Sequence, residues 1–116
     1  MSIMETQELK VIERFLDLAT VRQSLLVSNI ANVDTPGYRT KDIRFHQEML
    51  AALAQDADTP VQPMVEQVSG LIARPDGNNV SADREGLLLA EVQLRYQAGV
   101  QAIKSEFAMI HTAIMG

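Results

Sequence analysis

The 116-residue sequence predicts a mainly α fold in which long N- and C-terminal helices pack as an antiparallel pair, a coiled-coil-like bundle completed by neighbouring subunits. Three observations carry this. Aliphatic residues recur at steps of three and four near both ends of the chain. The segment between is rich in turn residues and holds no sustained period. Both periodic stretches are also longer than the core that a chain of this size closes on itself. Hydrophobic residues make up 47%, yet there are three Phe, two Tyr and no Trp, so a core must be built from Leu, Ile, Val, Met and Ala.

The first segment, residues 1–35, is helical. Leu9, Ile12, Leu16, Ala19, Gln23, Leu26, Ile30 and Val33 alternate steps of three and four, with one polar interruption at Gln23. Val11, Phe15, Leu18 and Leu25 add an adjacent stripe, so the apolar face is wider than a two-stranded coil requires. In Asp34-Thr35-Pro36-Gly37-Tyr38, Pro36 fixes φ and pushes Thr35 out of the α region, while Gly37 supplies the positive φ of a type II turn. The helix must therefore end before Thr35. Asn29 and Asn32 share a face there, with side chains placed to bond the last carbonyls of the helix or the backbone of the reversing chain.

The middle segment, 36–80, is turn-rich. His46–Ala57 reads as a short helix, and Asp58–Asn79, with three Pro and two Gly, as a loop or extended segment with a short strand within Val65–Ile72. The last segment, 81–116, is one helix. Ser81 is its N-cap, Asp83 and Glu85 lie in the first turn where the macrodipole favours anions, and Glu91–Arg95 is a well-oriented pair. Leu89, Val92, Tyr96, Val100, Ile103, Phe107, Ile110 and Ile114 form its stripe. Gly99, beside Ala98, Ala102 and Ala113, reads either as a tolerated helix glycine or as a point of close helix approach.

Size decides the architecture. At 1.5 Å per residue, helices of about 29 and 34 residues are roughly 43 and 51 Å long, against a radius of gyration of about 13 to 14 Å for a compact chain of this length. An antiparallel pair leaves apolar surface uncovered, and FAMIHTAIMG at the C-terminus has no Asp, Glu, Lys or Arg to solvate it. The expected assembly stripe is thus Leu9, Ile12, Leu16, Leu26 and Ile30 on the first helix. On the last it is Leu89, Val92, Val100, Ile103, Phe107, Ile110 and Ile114.

Other functions are disfavoured. A formal charge of -5 argues against nucleic acid, and the absence of Cys removes disulfides, thiolate metal sites and cysteine nucleophiles together. His46 and Glu48, two apart on a helix, point to different faces; Asp76, Asn78 and Asp83 do not follow the ligand order of a calcium loop. His111 reads as a packed or interface histidine. No nucleophile-elbow, Walker or dinucleotide motif is present, so no catalytic residue, cofactor or metal is expected. Arg39, Lys41 and Arg44 read as a solvated loop or as a contact for an acidic patch on a neighbouring subunit. The N-terminus, with Glu5 and Glu8, lacks a basic leader and apolar run, and no stretch approaches the roughly 20 apolar residues of a membrane span. A cytosolic product without a cleavable signal and without membrane insertion is therefore expected.

SNIANVDTPGYRTKDIRF, residues 28–45, resembles the N-terminal signature of the bacterial flagellar axial proteins, the rod and hook family. DGNNVSADREGLLLAEVQLRYQAGV, residues 76–100, is similar to the corresponding segment of proximal rod members. The resemblance covers about two thirds of the chain and leaves out residues 50–75. It implies a structural subunit of the basal-body rod, spanning the periplasm. Such a subunit is exported by the flagellar type III apparatus and polymerises with copies of itself and other rod proteins through its terminal helices. The motif positions it carries over are Asn29, Ala31, Asn32, Thr35, Pro36, Gly37 and Tyr38, then Asp76, Gly77, Asn78, Asp83, Arg84 and Tyr96. A sibling rod protein, or a small cytosolic helical chaperone or adaptor, are the alternatives; Thr-Pro-Gly-Tyr is a signature that a chaperone does not need, and DGNNVSADRE separates the first reading from the sibling.

Overall fold

The computed structural model describes residues 7–56 and 58–115. In chain order its elements are α1 (Gln7–Ala31), β1 (Lys41–Ile43), α2 (Phe45–Leu53), β2 (Val65–Gln67) and α3 (Ala82–Met115). α1 and α3 run antiparallel: Asn29 meets Glu85 near one end, and Leu16 lies against Gly99 further along. A Cβ added at Gly99 would come within 2.8 Å of Leu16 Cδ2, so this glycine is a point of close helix approach and not merely a tolerated one.

Two apolar clusters share α1. Ala19 and Leu26 of α1 and Val92 of α3 are buried with Leu88, Leu89 and Tyr96 around them. Leu18 of α1 is buried with Ile43 of β1 and Ala52 of α2, flanked by Val21, Leu25, Met49 and Val61. Phe45 touches both clusters and meets Phe15 edge to face at 5.4 Å between ring centroids. Burial of a leucine such as Leu18 or Leu26 contributes about 1.5 to 3 kcal/mol before ordering costs, so the second stripe of α1 is filled by the middle segment.

Three sequence expectations are corrected here. α1 stops at Ala31, so Val33 lies beyond it in the turn that leads to Pro36. α2 starts at Phe45 and ends at Leu53, shorter than His46–Ala57; Ala57 lies outside the described residues. A cation of α1 takes the last carbonyl of the helix, and another takes carbonyls of the segment just past it. Lys10 Nζ donates to Leu53 O at 3.1 Å, and the buried Arg14 donates to Asp56 O and, at 2.6 Å, to Thr59 O. The third correction is to the irregular middle. β1, which periodicity did not reveal, pairs antiparallel with β2 in the register Lys41–Gln67, Asp42–Glu66, Ile43–Val65. β2 is confined to Val65–Gln67 because Pro63 precedes it and Gly70 turns the chain at φ 83°.

Arg22 of α1 ties this sheet to the helix through both oxygens of Asp42, at 3.1 to 3.3 Å, with both side chains largely buried. Arg44 meets Glu66 at 2.8 Å across the strands in solvent, a pair that contributes little. The molecule measures 64 × 25 × 18 Å, and its radius of gyration, 17.6 Å, exceeds the roughly 13 Å of a compact chain of this length. The excess belongs to α3, whose 34 residues span about 51 Å.

Candidate functional site

Residues of the two signatures meet where α1 ends and α3 begins, with Tyr96 further along α3. Tyr38 N donates to Thr35 O at 3.2 Å and Gly37 has φ 76°, the geometry of a type II turn with Pro36 at its second position. A second turn lies against it. Gly77 N donates to Arg74 O at 2.8 Å, Gly77 has φ 86°, and Gly37 N donates to Asp76 O at 2.9 Å. A Cβ on Gly77 would lie 3.4 Å from Gly37 Cα, so the two glycines let the two turns touch backbone to backbone.

Side-chain amides fasten the junction. Asn29 is fully buried and uses its whole hydrogen-bonding capacity. Nδ2 donates to Lys41 O at 2.8 Å and Glu85 Oε1 at 2.5 Å, while Oδ1 accepts from Lys41 N and Tyr38 Oη, both at 3.1 Å. It thereby closes the outer edge of β1, holds the turn and reaches α3 at once. Asn32 Nδ2 donates to Ser28 O at 2.8 Å and its Oδ1 accepts from Thr35 Oγ1 at 3.0 Å, so one asparagine bonds the reversing chain and the other the last turn of the helix. Asn78, also fully buried, donates to Asn32 O at 2.9 Å and Thr35 O at 2.8 Å, and its Oδ1 accepts from Val80 N. Asn79 Oδ1 accepts from Thr40 N at 2.7 Å and Thr40 Oγ1 at 2.9 Å. Arg74 spans the seam, donating to Val33 O and, at 2.9 Å, to Val80 O.

α3 starts as its sequence indicates. Arg84 N donates to Ser81 Oγ at 3.3 Å and Glu85 N to Ser81 O at 2.9 Å. Glu85 is buried, with Oε1 held by Asn29 and Oε2 by Arg84 Nη1 at 2.8 Å. Asp83, Ala31, Pro36 and Asp76 are exposed, and Asp76 Oδ1 accepts from Asn78 N at 2.9 Å. Tyr96 packs against α1. Sequence reasoning passed over Thr40, Arg74 and Asn79 and read Glu85 only as a first-turn anion; the signal that was available is the Asn-Asn doublet just before an N-cap serine.

The assembly stripe divides along its length. Leu9, Leu26 and Val92 are buried inside the chain, and Ile12, Leu16, Ile30, Leu89, Val100, Ile103 and Ile110 are half-buried. Toward the end of α3 apolar groups stand in solvent: Phe107 is 45% exposed, Met109 66%, Ile114 64% and Met115 72%. His46 and His111 are exposed, and Glu48 accepts from Met64 N. Among the described residues no three His, Asp or Glu side chains are grouped to hold a metal ion, and no helix is long and apolar enough to cross a membrane. Of the basic cluster, Arg44 is paired with Glu66, Lys41 Nζ lies 5.7 Å from the Tyr38 ring centroid, and Arg39 is exposed.

No family model matches the chain. Individual relatives do. The flagellar basal body rod protein FlgB of Bacillus subtilis is 30% identical over 117 residues, covering 90% of this chain and 91% of its own. FlgB of Salmonella typhimurium is 30% identical over 121 residues, 87% of this chain and 88% of its own, and that of Escherichia coli 32% over 111 residues, 78% and 80%. The chain belongs to the FlgB family of flagellar basal body rod proteins. As a FlgB protein it is a structural component of the basal body and not an enzyme. The first stretch that resembled the axial family and the start of the second thus meet, in this FlgB chain, on one hydrogen-bonded junction, and the last residues of α3, with Phe107, Met109, Ile114 and Met115 exposed, lie far along the helix from it.

Proposed function

We propose that this rod protein is a proximal rod subunit that polymerises through the outer part of α3. On this reading the chain is exported without a cleavable signal by the flagellar type III apparatus and then docks on copies of itself and on other rod proteins. The observation that carries it is the segment Phe107–Met115, which has no Asp, Glu, Lys or Arg and in which Phe107, Met109, Ile114 and Met115 stand in solvent. Burying each such side chain against a neighbour contributes roughly 1.5 to 3 kcal/mol before ordering costs, so several together offset the cost of immobilising a subunit. The half-buried members of the stripe, Ile12, Val100, Ile103 and Ile110, extend this surface toward the middle of the pair. Leu9, Leu26 and Val92 support it from within. The motif residues of the junction hold the two helices in the arrangement that presents it.

Ile114→Glu tests the proposal without disturbing the chain's own core. It is expected to leave synthesis and export near the parental level and to reduce the amount found in purified basal bodies severalfold, because a carboxylate would enter an intersubunit core. Gln101→Glu, exposed and off the stripe, is the control and is expected to incorporate normally. Equal incorporation of both variants would show that this segment is not the assembly surface.

A further inference from the structure

The seam between α1 and α3 is close to periodic, and a periodic seam does not by itself fix an axial position. Sliding one helix past the other by a heptad, about 10 Å, sets aliphatic residues against aliphatic residues again. Beyond the bonds of the junction just ahead of α3, Gly37 N to Asp76 O and Asn78 Nδ2 to Asn32 O and Thr35 O, two features of the seam itself break that degeneracy. One is steric, the glycine at 99 that leaves room for Leu16. The other is chemical. Asn29 and Glu85, 0% and 1% exposed, bond at 2.5 Å across the helices, and a slip in either direction would bury an amide and a carboxylate without each other. A single buried polar contact is an established way for paired helices to select one register.

We propose that the Asn29–Glu85 contact is a positioning element that holds the axial register of α1 against α3. In that register Leu16 lies against Gly99, and a heptad of slip would carry α3 about 10 Å along α1. The register is measured on the isolated chain.

The sequence contains no cysteine, so introduced pairs report without background. Leu16→Cys with Gly99→Cys reports the observed register. Leu16→Cys with Glu106→Cys reports a slip of one heptad. In the otherwise unchanged chain only the first pair is expected to oxidise. Glu85→Met, which leaves the other bonds of Asn29 in place, is expected to raise the slipped product by about tenfold or more. Glu85→Gln, whose side-chain oxygen still accepts from Asn29, is expected to keep it at background. Glu85→Leu is run beside Glu85→Met so that the result does not hang on the folding of one variant. Leu18→Ala loosens the α2 side of α1 without touching the seam and controls for general destabilisation. The proposal is overturned if a helical Glu85→Met or Glu85→Leu chain gives the in-register product alone, or if Leu18→Ala gives as much slipped product as they do.

Discussion

Asn29→Asp isolates the donors of the junction, because the side chain keeps its shape and keeps the oxygen that accepts from Tyr38 Oη and Lys41 N. What it loses are the two bonds that Nδ2 donates, to Lys41 O and Glu85 Oε1. In their place a second carboxylate would stand where the 2.5 Å contact to Glu85 now lies, with both residues essentially without solvent. Breaking a buried charged contact in this way costs about 3 to 5 kcal/mol. For a domain of this size that is a fall of roughly 10 to 20 °C in the melting temperature, and a large share of the roughly 5 to 15 kcal/mol typical of a folded domain. Circular dichroism during thermal and urea unfolding measures it. Adding Glu85→Gln to Asn29→Asp supplies a donor to the new carboxylate, while Lys41 O stays unbonded, so about half of the loss should return. An Asn29→Asp chain within about 1 kcal/mol of the parent would refute the reasoning. So would a double variant, Asn29→Asp with Glu85→Gln, that recovers nothing.

The same contacts set three further outcomes. Gly37→Val, forced to φ 76°, should lower stability by about 1 to 3 kcal/mol, whereas Arg39→Gln, exposed, should stay within about 0.5 kcal/mol, both read from denaturation midpoints. Gly99→Ala should stay within about 1 kcal/mol of the parent, because its Cβ meets the end of the half-buried Leu16 side chain at 2.8 Å and the turning of that side chain offsets a helix-propensity gain of about 1 kcal/mol; a loss of several kcal/mol would show that Leu16 cannot turn. Arg14→Met should speed amide exchange in residues 54–59 far more than in α1 or α3, because it frees the carbonyls of Asp56 and Thr59 while removing a buried charge whose Nε has no partner.

Local chemistry was legible in the sequence and distant pairing was not. The type II turn, the duties of Asn32, the Ser81 cap and the Glu91–Arg95 pair at 2.6 Å all depend on residues within four or so positions of one another. β1 is three residues long, too short for an alternation of period two to register, whereas β2 falls within the short strand expected in Val65–Ile72. The clamps of Lys10 and Arg14 on the end of α2 join residues 42 to 45 apart, and Glu85 finds Asn29 across 56 positions. Periodicity marked the stripe but not its partner. Leu9, Leu26 and Val92 carry the same spacing as Phe107 and Ile114, yet the chain buries the first three itself.

The division of chemistry along the molecule follows from what a subunit must be before it meets its neighbours. Hydrogen bonds are directional, and a buried donor or acceptor left unpaired costs about 1 to 3 kcal/mol, so a polar network serves only when it is complete within one chain. The junction meets that condition: the side-chain amides of Asn29 and Asn78, both fully buried, find their partners on the same chain. Apolar contact is not directional, and leaving it unmade costs only the hydration of the exposed surface, about 25 cal/mol per Å². A chain that waits for partners can therefore hold Phe107, Ile114 and Met115 in solvent, where it could not hold half of the asparagine network open. Placing the polar contacts at one end fixes the arrangement of the helices first. Apolar groups exposed along α3, from Leu87 and Leu94 to Phe107 and Ile114, need no such completion.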